Sequence, residues 1–357
     1  MILYSYEELD IYLRGKVLLV CDESIKFLKI NEYFKNKENI VRFDKFVPNP
    51  SYESVVEGVE LFNKEKCDTI VAVGGGSAMD MAKCIKLFSN MNSLENYLVQ
   101  EIVQNDIPLI AVPTTAGTGS ESTRYAVIYY KGEKQSIDHI SIIPSVVLFD
   151  TSVLETLPEY QKKVTLLDAL CHSIESYWSV NSTDESKIYS REAISLIVDN
   201  YKAYIEGDNS KNEKMLKAAN IAGRAINITQ TTAGHAMSYK LTSLFKISHG
   251  HAAAICVREL WPFMVENLNQ CIDKRGSEYL RKTFAEIAEA MGCNSIEQAI
   301  DKYTKMLEEL KIVAPEQIKK EEYEVLRNSV NPVRLKNNPV KLSVEDIDTI
   351  YHRILGE

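Results

Sequence analysis

Histidine is scarce in this chain of 357 residues, and four of its six histidines fall between residues 172 and 251. Asp168 and His172 are four residues apart, so they would share one face of a helix. His235, His249 and His251 follow later in the chain. One carboxylate and three imidazoles are a suitable ligand set for a catalytic Fe²⁺ or Zn²⁺ ion with one position open for a substrate oxygen. Spacing alone leaves it equally open that these histidines are ordinary core or surface residues.

Two polar loops, each following an apolar run, could hold the phosphates of a dinucleotide. Residues 74–77 (GGGS) follow the run TIVAV, and glycines there would let backbone amides approach a pyrophosphate. The pattern is neither G-x-G-x-x-G nor a P-loop, so a tight strand–helix turn is the alternative. Residues 113–121 (PTTAGTGSE) follow another apolar run and carry four hydroxyl side chains before the glutamate. Two such loops at the carboxyl ends of parallel strands predict a dinucleotide site.

One acidic residue, Asp22, stands just after the first apolar run, LLVC. Its carboxylate could accept hydrogen bonds from the ribose hydroxyls of an adenosine, and it would repel a 2′-phosphate. The alternative is a residue at the N-terminus of a helix, where the helix dipole favours an acidic side chain. The two interpretations are equally open from the residues alone.

Alternating strands and helices over the first 150 residues must position these loops. Strands are predicted at residues 16–20, 39–47, 69–73, 107–112 and 145–149, with a hairpin over 123–140 and helices at 24–35, 51–66 and 78–88. Such alternation predicts a parallel sheet with helices on both faces, as in Rossmann-like α/β domains. Beyond about Pro158, helical periodicity dominates at residues 162–179, 186–205, 211–230 and 277–291.

We therefore predict two domains, which also suits a chain longer than one hydrophobic core usually supports. Residues 1–157 would form an α/β dinucleotide-binding domain. Residues 158–357 would form an all-α domain that binds the metal and the substrate. Residues 328–341 would be a surface loop before a final short helix.

Composition excludes several classes of protein. The formal net charge of −9 argues against a nucleic-acid binder, which normally carries a basic face. The seven cysteines are scattered and contain no C-x-x-C pair, which indicates reduced thiols rather than disulfides or a thiolate zinc site. An acidic N-terminus without an apolar core, and the absence of a long apolar run, predict a cytoplasmic protein that does not bind membranes.

Five segments together resemble the iron-dependent alcohol dehydrogenase family, in order and in spacing. They are VGGGSAMDMAK (73–83), PTTAGTGSE (113–121), LLDALCHSIES (166–176), GHAMSY (234–239) and SHGHA (248–252). The resemblance runs over most of the chain. It implies a metal-assisted alcohol dehydrogenase or aldehyde reductase, which uses NAD or NADP, acts on a small alcohol or aldehyde, and forms a homodimer.

The resemblance also implies roles for individual residues. The implied ligands of the metal, Fe²⁺ or Zn²⁺, are Asp168, His172, His235 and His249. The implied cofactor contacts are Gly75, Gly76, Ser77, Asp80, Thr114, Thr115, Thr118 and Lys134. Asp22 stands where NAD-preferring members carry an aspartate, so it favours NAD.

This chain departs from the family pattern at two positions. Many members carry a further histidine where this chain has Tyr239, and an apolar residue is commoner at the position of His251. A tyrosine with an ordinary pKa near 10 would be a protonated donor at neutral pH, and an imidazole titrates near neutrality. Tyr239 and His251 are therefore the rival predicted catalytic proton donors, with packing roles and solvent as the alternative.

Within the family, residues 222–257 resemble the phosphonoacetaldehyde reductase branch, which reduces phosphonoacetaldehyde to 2-hydroxyethylphosphonate. A phosphonate taken out of water needs cations and hydrogen-bond donors. Arg224, Asn227 and Lys240 are the predicted substrate contacts, unless they are solvated surface residues. The alternatives are a general short-chain alcohol dehydrogenase and a dehydroquinate-synthase-like lyase; the lyase would need a larger set of basic and acidic groups than we find.

Overall fold

The structure is a computed structural model that describes residues 1–316, 318–330 and 335–356. The chain forms two compact units. The first consists of Met1–Pro158 and Gly207–Leu216, and the second of Glu159–Glu206 and Lys217–Glu357. None of the helices in the described ranges is both long enough and apolar enough to cross a membrane.

A six-stranded parallel sheet forms the centre of the first unit. Its strands are β1 (Ile2–Leu3), β2 (Val17–Cys21), β3 (Ile40–Phe43), β4 (Thr69–Gly74), β5 (Leu109–Pro113) and β8 (Val146–Leu148). They lie in the order β1-β8-β5-β4-β2-β3. Every residue of β2, β4 and β5 is buried, so both faces of the sheet are covered there. The predicted parallel sheet is confirmed, and β1 is an additional edge strand.

An antiparallel hairpin and four helices complete the first unit. The hairpin pairs β6 (Tyr125–Tyr130) with β7 (Glu133–Asp138). The helices are α1 (Tyr6–Asp10), α2 (Lys29–Lys35), α3 (Tyr52–Glu65) and α4 (Gly76–Phe88). The helix predicted over residues 24–35 is interrupted, because a 3₁₀ turn at Glu23–Phe27 precedes α2 and Leu28 between them is extended.

The second unit is built from helices, as predicted. They are α5 (Glu159–Trp178), α6 (Asp184–Ile205), α7 (Asn212–Thr229), α8 (Ala233–Phe245), α9 (His249–Glu266), α10 (Ser277–Ala290), α11 (Ile296–Glu309), α12 (Lys320–Asn328) and α13 (Val344–Leu355). The first residues of α7 belong to the first unit. Helix α5 is the central one, because it packs against α6, α9 and α10 and is almost wholly buried beyond its first turn.

The stretch after α12 differs from the predicted surface loop where it is described; residues 331–334 lie outside the described residues. Asn338 and Val340 are fully buried. The side chain of Asn337 donates a hydrogen bond to the carbonyl of Thr231 (3.1 Å), and its own carbonyl accepts one from the amide of Val180 (3.1 Å). These bonds replace water, so a polar segment can be buried.

Candidate metal and cofactor sites

Three of the predicted metal ligands converge in the second unit. One ligand atom from each of Asp168, His235 and His249 lies within 4.8 Å of the other two. Oδ1 of Asp168 is 3.5 Å from Nε2 of His235, and both atoms are buried without a hydrogen-bond partner among the described residues. Unsatisfied buried polar atoms are rare because they cost free energy. A divalent cation fits this cluster, because it would bind both atoms at once.

His172, the fourth predicted ligand, lies beside these three residues. Its ring stacks on that of His235 with 4.5 Å between centroids, and its Nδ1 is 3.9 Å from Oδ2 of Asp168. Burial alone would raise the pKa of Asp168, but the surrounding imidazoles hold it well below the ordinary value of an aspartate. The site therefore presents a buried negative charge surrounded by nitrogen ligands, which suits iron or zinc.

Two glycines allow the three ligand-bearing helices to approach one another. A Cβ added to Gly250, in the first turn of α9, would lie 2.0 Å from the carbonyl oxygen of Val164 and 2.8 Å from Cβ of Asp168. A Cβ added to Gly234, in the first turn of α8, would lie 2.9 Å from Oε1 of Glu175. Both α8 and α9 therefore begin in close contact with α5. This explains why each of the motifs GH and HGH needs its glycine.

Glu175 also belongs to this cluster, although it was not among the residues predicted from the sequence. Its carboxylate is fully buried, and it accepts hydrogen bonds from the hydroxyl of Thr232 (2.6 Å), the amides of Thr232 and His235 (3.2 Å each), and Nδ1 of His235. Because Nδ1 carries the donated proton, the lone pair of Nε2 is left for a metal. The available signal was spacing: Glu175 is seven residues after Asp168, two turns along α5.

The carboxylates around His235 also control its protonation. Burial would lower the pKa of His235, but Glu175 and Asp168 raise it to about 10. Burial likewise opposes the charge on Glu175, but the positive charge of His235 and the hydrogen bonds from His235 and Thr232 bring the pKa of Glu175 below its ordinary value. Because a metal ligand must be a neutral imidazole, metal binding at this ring would displace a proton.

In the first unit, the two predicted phosphate-binding loops lie side by side. The amide of Thr114 donates to the carbonyl of Gly74 (3.0 Å). A Cβ added to Gly75 would lie 3.5 Å from the side chain of Thr115, and one added to Gly76 would lie 3.2 Å from that of Thr118. Helix α4 begins at Gly76 without a side-chain cap. Its first amides and the neighbouring threonines therefore form a surface suited to a pyrophosphate.

Asp80 is engaged in holding these loops together. Its two oxygens accept hydrogen bonds from the hydroxyl of Ser120 (3.1 Å) and the amide of Val127 (3.1 Å). Buried Lys83 donates to the same Ser120 hydroxyl (3.0 Å). Burial raises the pKa of Asp80 to about 6, with opposing contributions from Lys83 and from Lys134 on β7, and lowers the pKa of Lys83 to about 8. A direct cofactor contact by Asp80 stays a prediction, as it does for exposed Lys134.

Asp22 and Ser77 also have hydrogen bonds within the first unit. Oδ1 of Asp22 accepts from the amide of Ser24 (2.8 Å) and so caps the 3₁₀ turn, which was the structural alternative. The hydroxyl of Ser77 accepts from the amide of Asn49 (3.3 Å). A cavity of about 530 Å³ is lined by Ser24 and Phe27, which follow Asp22 in the chain, and by Thr114. Its mostly apolar lining at the carboxyl ends of β2 and β5 suits a flat aromatic ring.

The two predicted proton donors have different surroundings. The ring of Tyr239 lies parallel to that of His249, a predicted metal ligand, with 5.3 Å between centroids. The nitrogens of His251 are both engaged: Nδ1 is 3.0 Å from the hydroxyl of Tyr160, and Nε2 is 2.7 Å from the carbonyl oxygen of Val313. Because protein groups engage both nitrogens of His251, this geometry argues against the donor role predicted for it.

One of the three predicted substrate contacts, Arg224, lies away from the cluster of predicted metal ligands. Arg224 is exposed on α7, and its guanidinium lies near the hydroxyl of Tyr189 on α6. The face of α7 that contacts α5 is another one, since Thr229 donates to Ser176 there (3.0 Å). Asn227 and Lys240 are half-buried. Arg224 therefore lies away from the helix that carries Asp168.

Comparison with known proteins identifies the family. A model described as iron-containing alcohol dehydrogenase matches residues 4–151, and one for the C-terminal part of the same family matches residues 163–355. Aldehyde-alcohol dehydrogenase 2 of Entamoeba histolytica is 30% identical over 83% of this chain, which spans only 37% of that longer protein. The NAD-dependent methanol dehydrogenase of Bacillus methanolicus is 29% identical over 89% of this chain and 85% of its own.

One solved structure shares the fold over the whole of this chain. The sulfoacetaldehyde reductase from Bifidobacterium kashiwanohense, in complex with NAD⁺, covers 100% of this chain and 97% of its own with a TM-score of 0.88 at 24% identity. The ranges of this chain that the two family models match include all five segments that carry the resemblance. The predicted membership is confirmed: this chain belongs to the iron-containing alcohol dehydrogenase family, whose members are oxidoreductases that act on CH–OH groups.

Proposed function

We propose that this protein is a metal-assisted, NAD-dependent alcohol dehydrogenase that reduces a small aldehyde. The observation that carries the proposal is the buried pair of unsatisfied atoms, Oδ1 of Asp168 and Nε2 of His235, next to two further imidazoles. The test is steady-state oxidation of NADH with an aldehyde panel, under anaerobic conditions, after loading with Fe²⁺ or Zn²⁺. Absence of turnover with every aldehyde and both metals would refute the proposal.

Each group would have a defined role. Asp168, His172, His235 and His249 would hold the ion, and Glu175 would orient His235 through its Nδ1. A divalent ion bound there supplies Lewis-acid polarisation of a carbonyl oxygen. Tyr239, parallel to His249, is the proposed donor of the proton that completes the alcohol, because an ordinary tyrosine is protonated at neutral pH.

The two loops of the first unit support the cofactor assignment. The amides at the start of α4 and the side chains of Thr115 and Thr118 would bind the pyrophosphate. The cavity beside Phe27 would take the adenine, and the other carboxylate oxygen of Asp22, Oδ2, would accept a hydrogen bond from a ribose hydroxyl. Reduced nicotinamide supplies the hydride when bound. The relative from Bacillus methanolicus is named for its use of NAD.

Asp22 provides the test of cofactor choice. We expect the wild type to prefer NADH, and Asp22→Gly to reduce the NADH-to-NADPH ratio of kcat/KM by about tenfold or more, because a repelled 2′-phosphate is then tolerated. Asp22→Asn removes the negative charge but keeps a side-chain oxygen that can cap the turn, so it separates the effect of charge from the effect of capping. Glu23→Gln, an exposed neighbouring change, is the control. A wild type that prefers NADPH would contradict the assignment of Asp22.

For the substrate, we propose phosphonoacetaldehyde, on the resemblance of residues 222–257 to that branch. We expect kcat/KM with phosphonoacetaldehyde to exceed kcat/KM with propanal. Sulfoacetaldehyde, which carries a different anionic group, is the substrate that distinguishes recognition of a phosphonate from recognition of any anion. Lys240 follows Tyr239 in α8, whereas Arg224 lies near Tyr189 on α6. We therefore expect Lys240→Ala, and not Arg224→Ala, to lower the phosphonate preference by about tenfold or more, the loss of one charge-assisted bond. Better turnover of propanal by the wild type would refute the phosphonate assignment.

A further inference from the structure

A chain of hydrogen bonds links the beginnings of α5 and α9, and the proposed reaction does not use it. Tyr160, in the first turn of α5, contacts His251 of α9, and His251 contacts Val313 beyond α11. The amide of Ser248, the residue before α9, lies 3.4 Å from the hydroxyl of Tyr160. The chain therefore runs from Ser248 through Tyr160 and His251 to Val313.

When the ring of His251 is neutral, one arrangement of protons satisfies every member of this chain. The carbonyl of Val313 can only accept, so Nε2 of His251 carries the proton and donates it. Nδ1 of that neutral ring must then accept, so the hydroxyl of Tyr160 donates to it. The oxygen of Tyr160 keeps a lone pair, which accepts the amide proton of Ser248. The two links made by His251 thus depend on the hydrogen-bonding capacity of its imidazole, which an apolar side chain at position 251 would lack.

The backbone that this chain holds is the backbone of a proposed metal ligand. His249 is the first residue of α9, and Ser248 before it has no side-chain cap bond. Ser248 is held by Tyr160, and His251 is held from both sides. Between them, Gly250 lies directly against the carbonyl of Val164 in α5. His249 itself is half-buried, so packing alone constrains it less than it constrains His235.

We propose that Tyr160 and His251 are positioning residues that fix the first turn of α9 against α5, and thereby hold His249 at ligand distance from Asp168. The inference rests on the proposed metal site for its functional consequence. It assigns a structural reason to His251, where an apolar residue is commoner in the family. His251 acts through His249 and makes no contact with substrate.

The test compares metal affinity in variants that keep or lose the chain. We expect Tyr160→Phe and His251→Leu to weaken binding of Co²⁺ or Zn²⁺, measured by chelator competition, by about 10- to 100-fold, as for other residues that orient metal ligands. His251→Gln should retain most of the affinity, because its amide can donate to Val313 and accept from Tyr160. Tyr189→Phe, which removes another tyrosine hydroxyl from the same unit, is the matched control.

Two further readouts separate positioning from the alternatives. Amide hydrogen exchange at residues 248–252 of the metal-free protein should be faster in Tyr160→Phe than in the wild type, whether or not the wild type binds metal. The pH profile of turnover should change in Tyr239→Phe and stay unchanged in His251→Gln. Unchanged exchange in Tyr160→Phe, or an unchanged metal affinity in both Tyr160→Phe and His251→Leu, would refute the positioning role. Failure of the wild type to bind any metal would instead refute the proposed function.

Discussion

Asp168→Ala is expected to remove bound metal and to lower turnover by at least about a thousandfold, because the Lewis-acid contribution of several kcal/mol is lost. His249→Ala should act in the same direction, since it deletes another of the three converging ligand atoms. The fold should survive Asp168→Ala, because Oδ1 of Asp168 has no hydrogen-bond partner in the described part of the chain. Metal content of the purified variants and their turnover measure the two effects.

The matched control is Asp199→Ala, an exposed aspartate on α6. It should keep both metal and activity. Circular dichroism and the thermal midpoint of the metal-free proteins establish that each variant is folded. Full metal occupancy together with normal turnover in Asp168→Ala and His249→Ala would exclude these residues from the site.

Glu175→Gln is expected to weaken metal binding by about 10- to 100-fold, the usual cost of losing a carboxylate that orients a ligand histidine. One oxygen of Glu175 accepts from Thr232 and from the amide of His235, and the other accepts from Nδ1 of His235. A glutamine has an amide nitrogen in place of one of these oxygens. That nitrogen is a hydrogen-bond donor, and it would face a donor of Thr232 or His235. The free energy of unfolding should also fall, by about 1–3 kcal/mol for each donor left unsatisfied.

Chelator competition gives the metal affinity, and urea denaturation of the metal-free protein gives the stability separately. Glu185→Gln, a change of the same chemistry at an exposed position of α6, serves as the control. The two effects should appear together in Glu175→Gln alone. An unchanged affinity in that variant would show that His235 does not need its carboxylate partner to bind the metal.

Much of the first unit could be predicted from the sequence because its signals are local. A buried parallel strand is a short apolar run, so β2, β4 and β5 could be found from composition and the turn residues that follow them. Because β4 and β5 are parallel neighbours, the glycine-rich and threonine-rich loops that follow them lie together at the carboxyl ends of the strands. The strand β1 was missed, because it has two residues and exists only through its pairing with Val147 and Leu148, far along the chain.

The burial of the polar segment after α12, by contrast, could not be predicted from local sequence. Asn337 and Asn338 look like surface residues in the sequence. Their burial depends on carbonyl groups of Thr231 and Val340 that accept their side-chain protons. A hydrogen bond to a residue about a hundred positions away leaves no local pattern, so a loop was the natural expectation.

The proposed metal site also has one part that the sequence predicts and another that only packing decides. The spacing of Asp168 and His172 by itself placed them on one helix face, because the period of a helix is a local property. Which other helices meet that face depends on packing, and there the glycines before His235 and after His249 permit contacts that no spacing rule reveals. Only the tertiary structure could therefore join Glu175 to His235, engage both nitrogens of His251, and turn Arg224 away from α5. The physical reason is that side chains on one helix are related by its period, whereas side chains on different helices meet only where buried surfaces fit.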